Sequence, residues 1–447
     1  MNWSSISDET TRLLQDLLRF NTTNPPGNET PCINYIAQTL HREGIDSVVL
    51  ESAPGRGNLV ARLKGDGSLP PLMLFGHVDV VPAEADKWQR DPFSGDLIDG
   101  VIWGRGATDM KHMVAMNLMT FMQLKRQNVP LKRDVIFMAN ADEEVGGTYG
   151  ALWMVQNHPD LIRAEYALTE GGATSIEIDG KSFFVCSTGE KGAARFTLRG
   201  RGKPGHASQP HMQNSILPLS KALVKVMESK LPLRITATTR SFIESLATNV
   251  NPGLAEMLRG VLDPALHDDA VAELPFPEPI LRRLNAMCRD TATPTILQAG
   301  SKINVIPAEA EAQVDCRVLP GTTPESIDRD VRAILGSALA SGELELEFGR
   351  FSPGIESDPS SPLLEVIKSS VAEHTGGGIV IPGLITGGTD ARHVTKLGTK
   401  VYGFIPTRYE GPHMMGLAHA HDERISVANL TFGTQVIYDV THKFCAV

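Results

Sequence analysis

The chain has 447 residues, 41% hydrophobic and 21% charged, with a formal net charge of -10. That length exceeds one ordinary hydrophobic core and points to two domains, and the composition is that of a globular protein. The acidic balance argues against nucleic acid or an anionic membrane surface as partner, since both select a basic face.

The N-terminus, MNWSSISDETTRLLQDLLRF, carries acids and no continuous apolar core, so no signal peptide is expected. Leu13, Leu14, Leu17 and Leu18 recur at helical spacing and predict an amphipathic first helix. TNPPGNET breaks it, and PCINYIAQTLHREG reads as a second helix closed by Gly44. NLVARL, PLMLFG, DVIFMANA and YALTEGG follow as apolar strands, with helical stretches HMVAMNLMTFMQLKRQ and GALWMVQNH between the later ones. Strands alternating with helices predict an open, largely parallel α/β sheet, whose ligands bind outside the carboxyl ends of the strands.

The pattern changes near residue 192. ARFTLRGRGKPG alternates like a strand of a half-exposed sheet, and SILPLSKALVKVMES is helical. EAEAQVDCRVLPG reads as a strand, TPESIDRDVRAILGSAL as a helix and ELELEFGRF as a strand. The expectation is a smaller α+β domain at 192–352 inserted into an α/β domain made of 1–191 and 353–447. The segment 230–298 is mixed in pattern and receives no assignment. No run of about 18 apolar residues occurs, so no membrane span is expected. Cys32, Cys186, Cys288, Cys316 and Cys445 are scattered without a C-x-x-C, which points to neither a disulfide framework nor a zinc ribbon and fits a reducing cytoplasm.

Five places in the chain set acids and imidazoles at element ends. His77 and Asp79 close PLMLFGHVD, Asp109 follows a Gly-rich loop in GRGATDMK, and Glu143 and Glu144 follow a strand in ANADEEVGG. Glu170 stands in LTEGG, and His419 in GLAHAHDERI. A lone glutamate at a strand end is more often solvated than functional. Several such ends on one sheet edge are poorly explained by coincidence. Two imidazoles and several carboxylates, with no thiolate, suit zinc-like divalent ions, with cobalt or manganese as alternatives. A carboxylate can bridge two ions about 3.5–4 Å apart, which activate a water between them. A further carboxylate must stay off the metal to carry the proton, and adjacent glutamates on an extended segment can divide those two roles.

GHVDVVPA, DPFSG, DGVIWGRGATDMK, ADEEVGG, TEGG, GHAS and GGTDAR, in this order, resemble the signature blocks of the M20 family of metallopeptidases. The run NAMCRDTATPTILQAGSKINVIPAEAEAQVDCRVLPG is similar to the carboxypeptidase S and N-acyl-amino-acid hydrolase branch. The resemblance implies a catalytic metal-binding domain with an inserted lid and dimerisation domain. It implies that His77 and Glu170 bind one ion, that Glu144 and His419 bind the other, and that Asp109 bridges, with a cis peptide bond after it. It implies that Asp79 orients His77, that Glu143 is the general base, and that His206 of GHAS donates to the oxyanion, often across a dimer interface. Asn304, Arg317, Gly388 and Thr389 would then hold a substrate carboxylate or its amide neighbourhood.

His112 stands where the family often has glycine, and a packing role is expected for it. The spacing to Asp422 and Glu423 selects His419 over His421, with His413 left as structural or substrate-facing. The resulting expectation is a two-metal hydrolase of N-acyl amino acids or short peptides, acting as a homodimer. A metal-dependent deaminase on the same fold is the alternative, and a non-catalytic binding protein is disfavoured because base, bridge and ligands occur together.

Overall fold

The computed structural model describes residues 1–447, apart from the side chain of Ala173. The chain divides into two compact units: 1–188, 357–383 and 389–447 form one, and 189–356 with 384–388 form the other. The expected boundaries at 191/192 and 352/353 therefore shift by a few residues. The short piece 384–388 also joins the second unit, where the Lys191 N–H donates to the Ile385 carbonyl. Nothing in the local pattern of LITGG marks such a change of unit.

In the first unit, the helix Trp3–Arg19 starts at Asn2, whose side-chain oxygen accepts the Ser5 N–H, and it buries Leu13, Leu14, Leu17 and Leu18. A second helix, Thr30–Arg42, ends before Gly44, whose φ of +67° suits glycine. The large sheet runs in the order Ser47–Glu51, Gly57–Leu63, Arg133–Asn140, Leu69–His77, Tyr166–Thr169, Lys400–Gly403 and Lys181–Glu190. Its centre is parallel: Leu69–His77 runs with Arg133–Asn140 on one side and Tyr166–Thr169 on the other, and Lys400–Gly403 continues parallel to Tyr166–Thr169. The flanking pairs are antiparallel. The architecture is thus the mixed α/β one with a mostly parallel centre.

Register then decides where the site lies. His77 pairs with Asn140, three residues before Glu143, and Thr169 precedes Glu170 at the end of the neighbouring strand. The ends of three adjacent parallel strands therefore present their polar residues at one edge. The helix Lys111–Arg126 is buried through Leu124, as expected of a helix apolar nearly all round. It packs with Trp3–Arg19 and with the C-terminal helix Val427–Cys445. A three-stranded antiparallel sheet joins Asp96–Ile98, Val101–Trp103 and Arg424–Ser426.

The second unit carries its own sheet, in the order Gly192–Ala193, Glu309–Val318, Phe196–Arg201 and Leu344–Phe348, with Thr291–Ala299 also pairing along Glu309–Val318. Alternation along the long strand is strict: Ala310, Ala312, Val314, Cys316 and Val318 are buried. They share a core with Leu219, Ala222 and Val226 of the helix Ile216–Glu228 and with Ile327, Val331 and Leu335 of the helix Pro324–Leu335. The segment left unassigned from the sequence is largely helical: Ala237–Asn249, Pro252–Gly260, His267–Glu273 and Glu278–Cys288. Thr236 and Asn251 cap the first two of these with side-chain oxygens that accept the N–H groups of Thr239 and Leu254. No helix among the described residues is long and apolar enough to cross a membrane.

Candidate metal centre

His77 ends a central strand and is buried, 1% exposed. Its Nδ1 lies 2.9 Å from the main-chain oxygen of Asp79 and 3.4 Å from that residue's carboxylate. This directs Nε2 outward, where it makes no hydrogen bond although it is buried. Asp109 Oδ1 lies 3.3 Å from this nitrogen and Glu170 Oε1 3.7 Å from it. On the far side of Asp109, Oδ2 lies 3.1 Å from His419 Nε2, which is also 3.2 Å from Glu144 Oε2. One carboxylate thus faces one imidazole with each oxygen. The donor atoms of His77, Asp109 and Glu144 lie within 4.8 Å of one another, and so do those of His77, Glu143 and Glu170. The Asp109–Met110 peptide is cis, as the family resemblance implies.

The role of Asp79 differs in detail from the sequence expectation. The short contact to His77 comes from its backbone carbonyl, while its carboxylate accepts the N–H groups of Glu143 (3.1 Å) and Glu144 (3.2 Å). A carboxylate has about four acceptor sites, so Asp79 can steady the imidazole and the glutamate turn together.

The electrostatics of the cluster are those of a site short of positive charge. Asp109 and Glu144 raise the His419 imidazole to about 10. Burial alone would lower His77, but Glu170, Asp109 and Asp79 hold it well above the usual histidine range. Burial opposes ionisation of Asp109, yet His419 and His77 keep it well below the usual carboxylate range. Burial, and then the charge of Glu170, push Glu143 well above its usual value. Together with the unpartnered His77 Nε2 and the buried, unpartnered Glu144 Oε1, this donor set fits divalent cations of the zinc type.

Two supports were not singled out from the sequence. Glu423, fully buried, accepts five hydrogen bonds: from Arg105 Nη1 and the N–H of Gly106 on one oxygen, and from the N–H and hydroxyl of Thr108 and the N–H of Asp109 on the other. It lies four residues after His419, so it ties the His419 loop to the Asp109 loop. The adjacent strand pairing Arg424 with Trp103 does the same through the backbone. Asp390, which burial pushes up to about 7, accepts from Asn140 Nδ2 at 2.6 Å. A Cβ at Gly147, where φ is +74°, would fall 2.5 Å from its other oxygen, so glycine is needed in the turn after Glu144. The signal for Glu423 was the acid following the His419 motif; for Asp390 it was the last acid of GGTDAR.

The remaining expected residues are divided between the two units. Thr389 belongs to the first unit, and its hydroxyl accepts the Ala391 N–H. His206, Asn304, Arg317 and Gly388 belong to the second unit. There, His206 pairs in register with Val305, and the Asn304 carbonyl accepts the Ala207 N–H, which makes His206 and Asn304, both exposed, neighbours across a pair of short antiparallel strands. Arg317 is half-buried, and its Nε donates to Asp315 at 2.8 Å. His112 is buried in its helix, where burial lowers it to about 4, consistent with the expected packing role.

Residues 73–443 match Peptidase family M20/M25/M40. The chain is 30% identical over 382 residues to a probable carboxypeptidase S-like 2 of Dictyostelium discoideum, covering 83% of this chain and 71% of the relative. It is 30% identical over 393 residues to the N-fatty-acyl-amino acid synthase/hydrolase PM20D1 of Mus musculus, covering 84% and 74%. It shares its fold with an M20 family metallo-carboxypeptidase from Sulfolobus solfataricus, with a TM-score of 0.72 at 19% identity over 97% of this chain and 98% of the other. With ligand-type side chains gathered at the strand ends and the family matched over most of its length, the chain belongs to the M20/M25/M40 peptidase family and is a metal-dependent hydrolase of peptide-type amide bonds.

Proposed function

We propose that the protein is a two-metal amidohydrolase that cleaves the amide bond of N-acyl amino acids or short peptides carrying a free α-carboxylate. The observation that carries this reading is Asp109, with Oδ1 toward His77 and Oδ2 toward His419. His77 and Glu170 would hold one ion, Glu144 and His419 the other, and Asp109 both. The oxygen and imidazole donors favour zinc and would accept cobalt or manganese. Two such ions supply Lewis acidity and lower the pKa of a water at neutral pH.

The chain's own residues do the rest. Glu143 takes the proton from the attacking water and returns it to the leaving amine. Asp79 holds the backbone of that turn. His206 donates to the oxyanion, delivered from a partner subunit, and Arg317 pairs with the substrate carboxylate, with Asn304, Gly388 and Thr389 placing its amide neighbourhood. The name of the mouse relative supports the N-acyl amino acid class. A homodimer through the second unit is supported by the outer strand Thr291–Ala299, which among the described residues pairs in the sheet only with Glu309–Val318 and exposes Ile296 and Leu297. Five free, buried cysteines support a reducing, cytoplasmic setting.

The test is a panel of N-acyl amino acids, dipeptides and aryl amines, each carboxylate paired with its amide, assayed with zinc, cobalt or manganese while bound metal is counted. Two ions per chain and cleavage restricted to acids are the expected result. One ion per chain, or turnover of aryl amines alone, refutes the reading.

A further inference from the structure

A buried polar chain runs from the start of the second helix to the glutamate turn. Arg56 is 6% exposed. Its Nε and Nη2 donate to the two oxygens of Glu29, each at 2.8 Å, and Nη2 also reaches Asp142 Oδ1 at 2.7 Å. Asn24 Nδ2 donates to that same Asp142 oxygen at 3.1 Å and to Asp79 Oδ2 at 2.8 Å. Asp79 accepts the N–H groups of Glu143 and Glu144, and Asp142 Oδ2 accepts that of Tyr149. Glu29, Asn24 and Asp142 are as buried as Arg56 or more so.

This arrangement holds the turn from both sides. Asp142 immediately precedes Glu143 and sits at φ +71°, a conformation that a non-glycine residue keeps only with support. Asp79 accepts the next two N–H groups. Asn24 joins the two carboxylates, and Arg56 places the neutralising charge beside Asp142 and Glu29. The guanidinium geometry matters, because three donors aimed at two carboxylates need a planar fork that a lysine lacks. Gly27 belongs to the same design: a Cβ there would lie 2.5 Å from the guanidinium carbon.

We propose that Arg56 and Asn24 are positioning residues that set the reach of the Glu143 carboxylate through Asp142 and Asp79. The proposal rests on the reading of Glu143 as the general base. Small displacements of such a group cost turnover rather than binding, because the proton transfer needs hydrogen-bond reach in the transition state.

The experiment uses the metal-loaded full chain. Arg56→Lys and Asn24→Ala should each lower kcat by about 10–100-fold, with KM and bound metal little changed. In a Glu143→Gln background the same substitutions should lower kcat by less than about twofold, since residues acting through one group are not additive. An unchanged kcat in the wild-type background, or a fall that follows loss of metal, overturns the proposal. A Glu143→Gln enzyme with undiminished turnover overturns the base assignment, and the proposal with it. A slow Glu143→Gln enzyme that Arg56→Lys slows as much again overturns the positioning role alone. Where Arg56→Lys does not fold, Asn24→Ala, which leaves the Glu29–Arg56 pair in place, decides the matter.

Discussion

Asp79 and Glu423 of the first unit and His206 and Arg317 of the second are held in opposite ways. Asp79 and Glu423 are buried and bonded to partners distant in sequence, so their orientation is set before anything binds. His206, by contrast, is exposed, and its Nδ1 is satisfied by the Ser208 hydroxyl two residues on. Arg317 likewise pairs with Asp315 on its own strand. A cluster that gathers several like charges needs rigid walls, because relaxation would otherwise scatter them. Side chains on an exposed strand or sheet face with only a local partner can trade that partner for a ligand.

The largest effect should come from the glutamate turn, where the comparison can be broken outright. Glu143→Gln should keep fold and metal while kcat falls by about 10²–10⁴-fold or more, whereas Glu144→Gln should lose metal from one position. Metal analysis beside steady-state kinetics checks both, and the reverse pattern would exchange the two roles.

Glu423 sharpens the same contrast. Its carboxylate accepts from four N–H groups and the Thr108 hydroxyl, so in Glu423→Gln the amide NH2 meets N–H donors on whichever side it takes. Metal affinity, read by competition with a chelator, should fall by about 10–100-fold.

For the second unit, the expected effect lies in specificity. Removing the substrate's carboxylate charge should cost about 30-fold in kcat/KM, the lower end of what an unpaired desolvated charge costs. That preference should collapse in Arg317→Ala, whose fold should be unaffected. Equal cleavage of acid and amide by the wild type would separate Arg317 from recognition.

The smallest effect belongs to the exposed charge ladder on the second unit's sheet, where Arg199 pairs with Glu311 and Glu347, and Arg201 with Glu309 and Glu345. Replacing Glu345 with Gln should lower the urea midpoint only slightly, and less at high salt.

The fold was legible where burial follows a local period. Leu13, Leu14, Leu17 and Leu18 marked the first helix, and the alternation from Ala310 to Val318 marked the central strand of the second unit. Segment 230–298 was not legible, because its short helices bury only a few residues each, as at Leu254, Ala255 and Leu258. The strand Lys181–Glu190 was missed for a different reason: buried on both sides over most of its length, it shows neither helical nor alternating contrast.

The sequence by itself determined the chemistry available: two imidazoles and a set of carboxylates near element ends, in the order of one family's motifs. Tertiary structure alone decided how those groups are used. It set the two oxygens of Asp109 toward different histidines, turned the Asp79 carboxylate to the glutamate N–H groups, and brought Arg56 and Glu423 beneath loops far from them in the chain. The physical reason is range. Side-chain periodicity reports burial within one element, whereas a hydrogen bond between segments hundreds of residues apart exists only once the sheet's strand order and register bring them together.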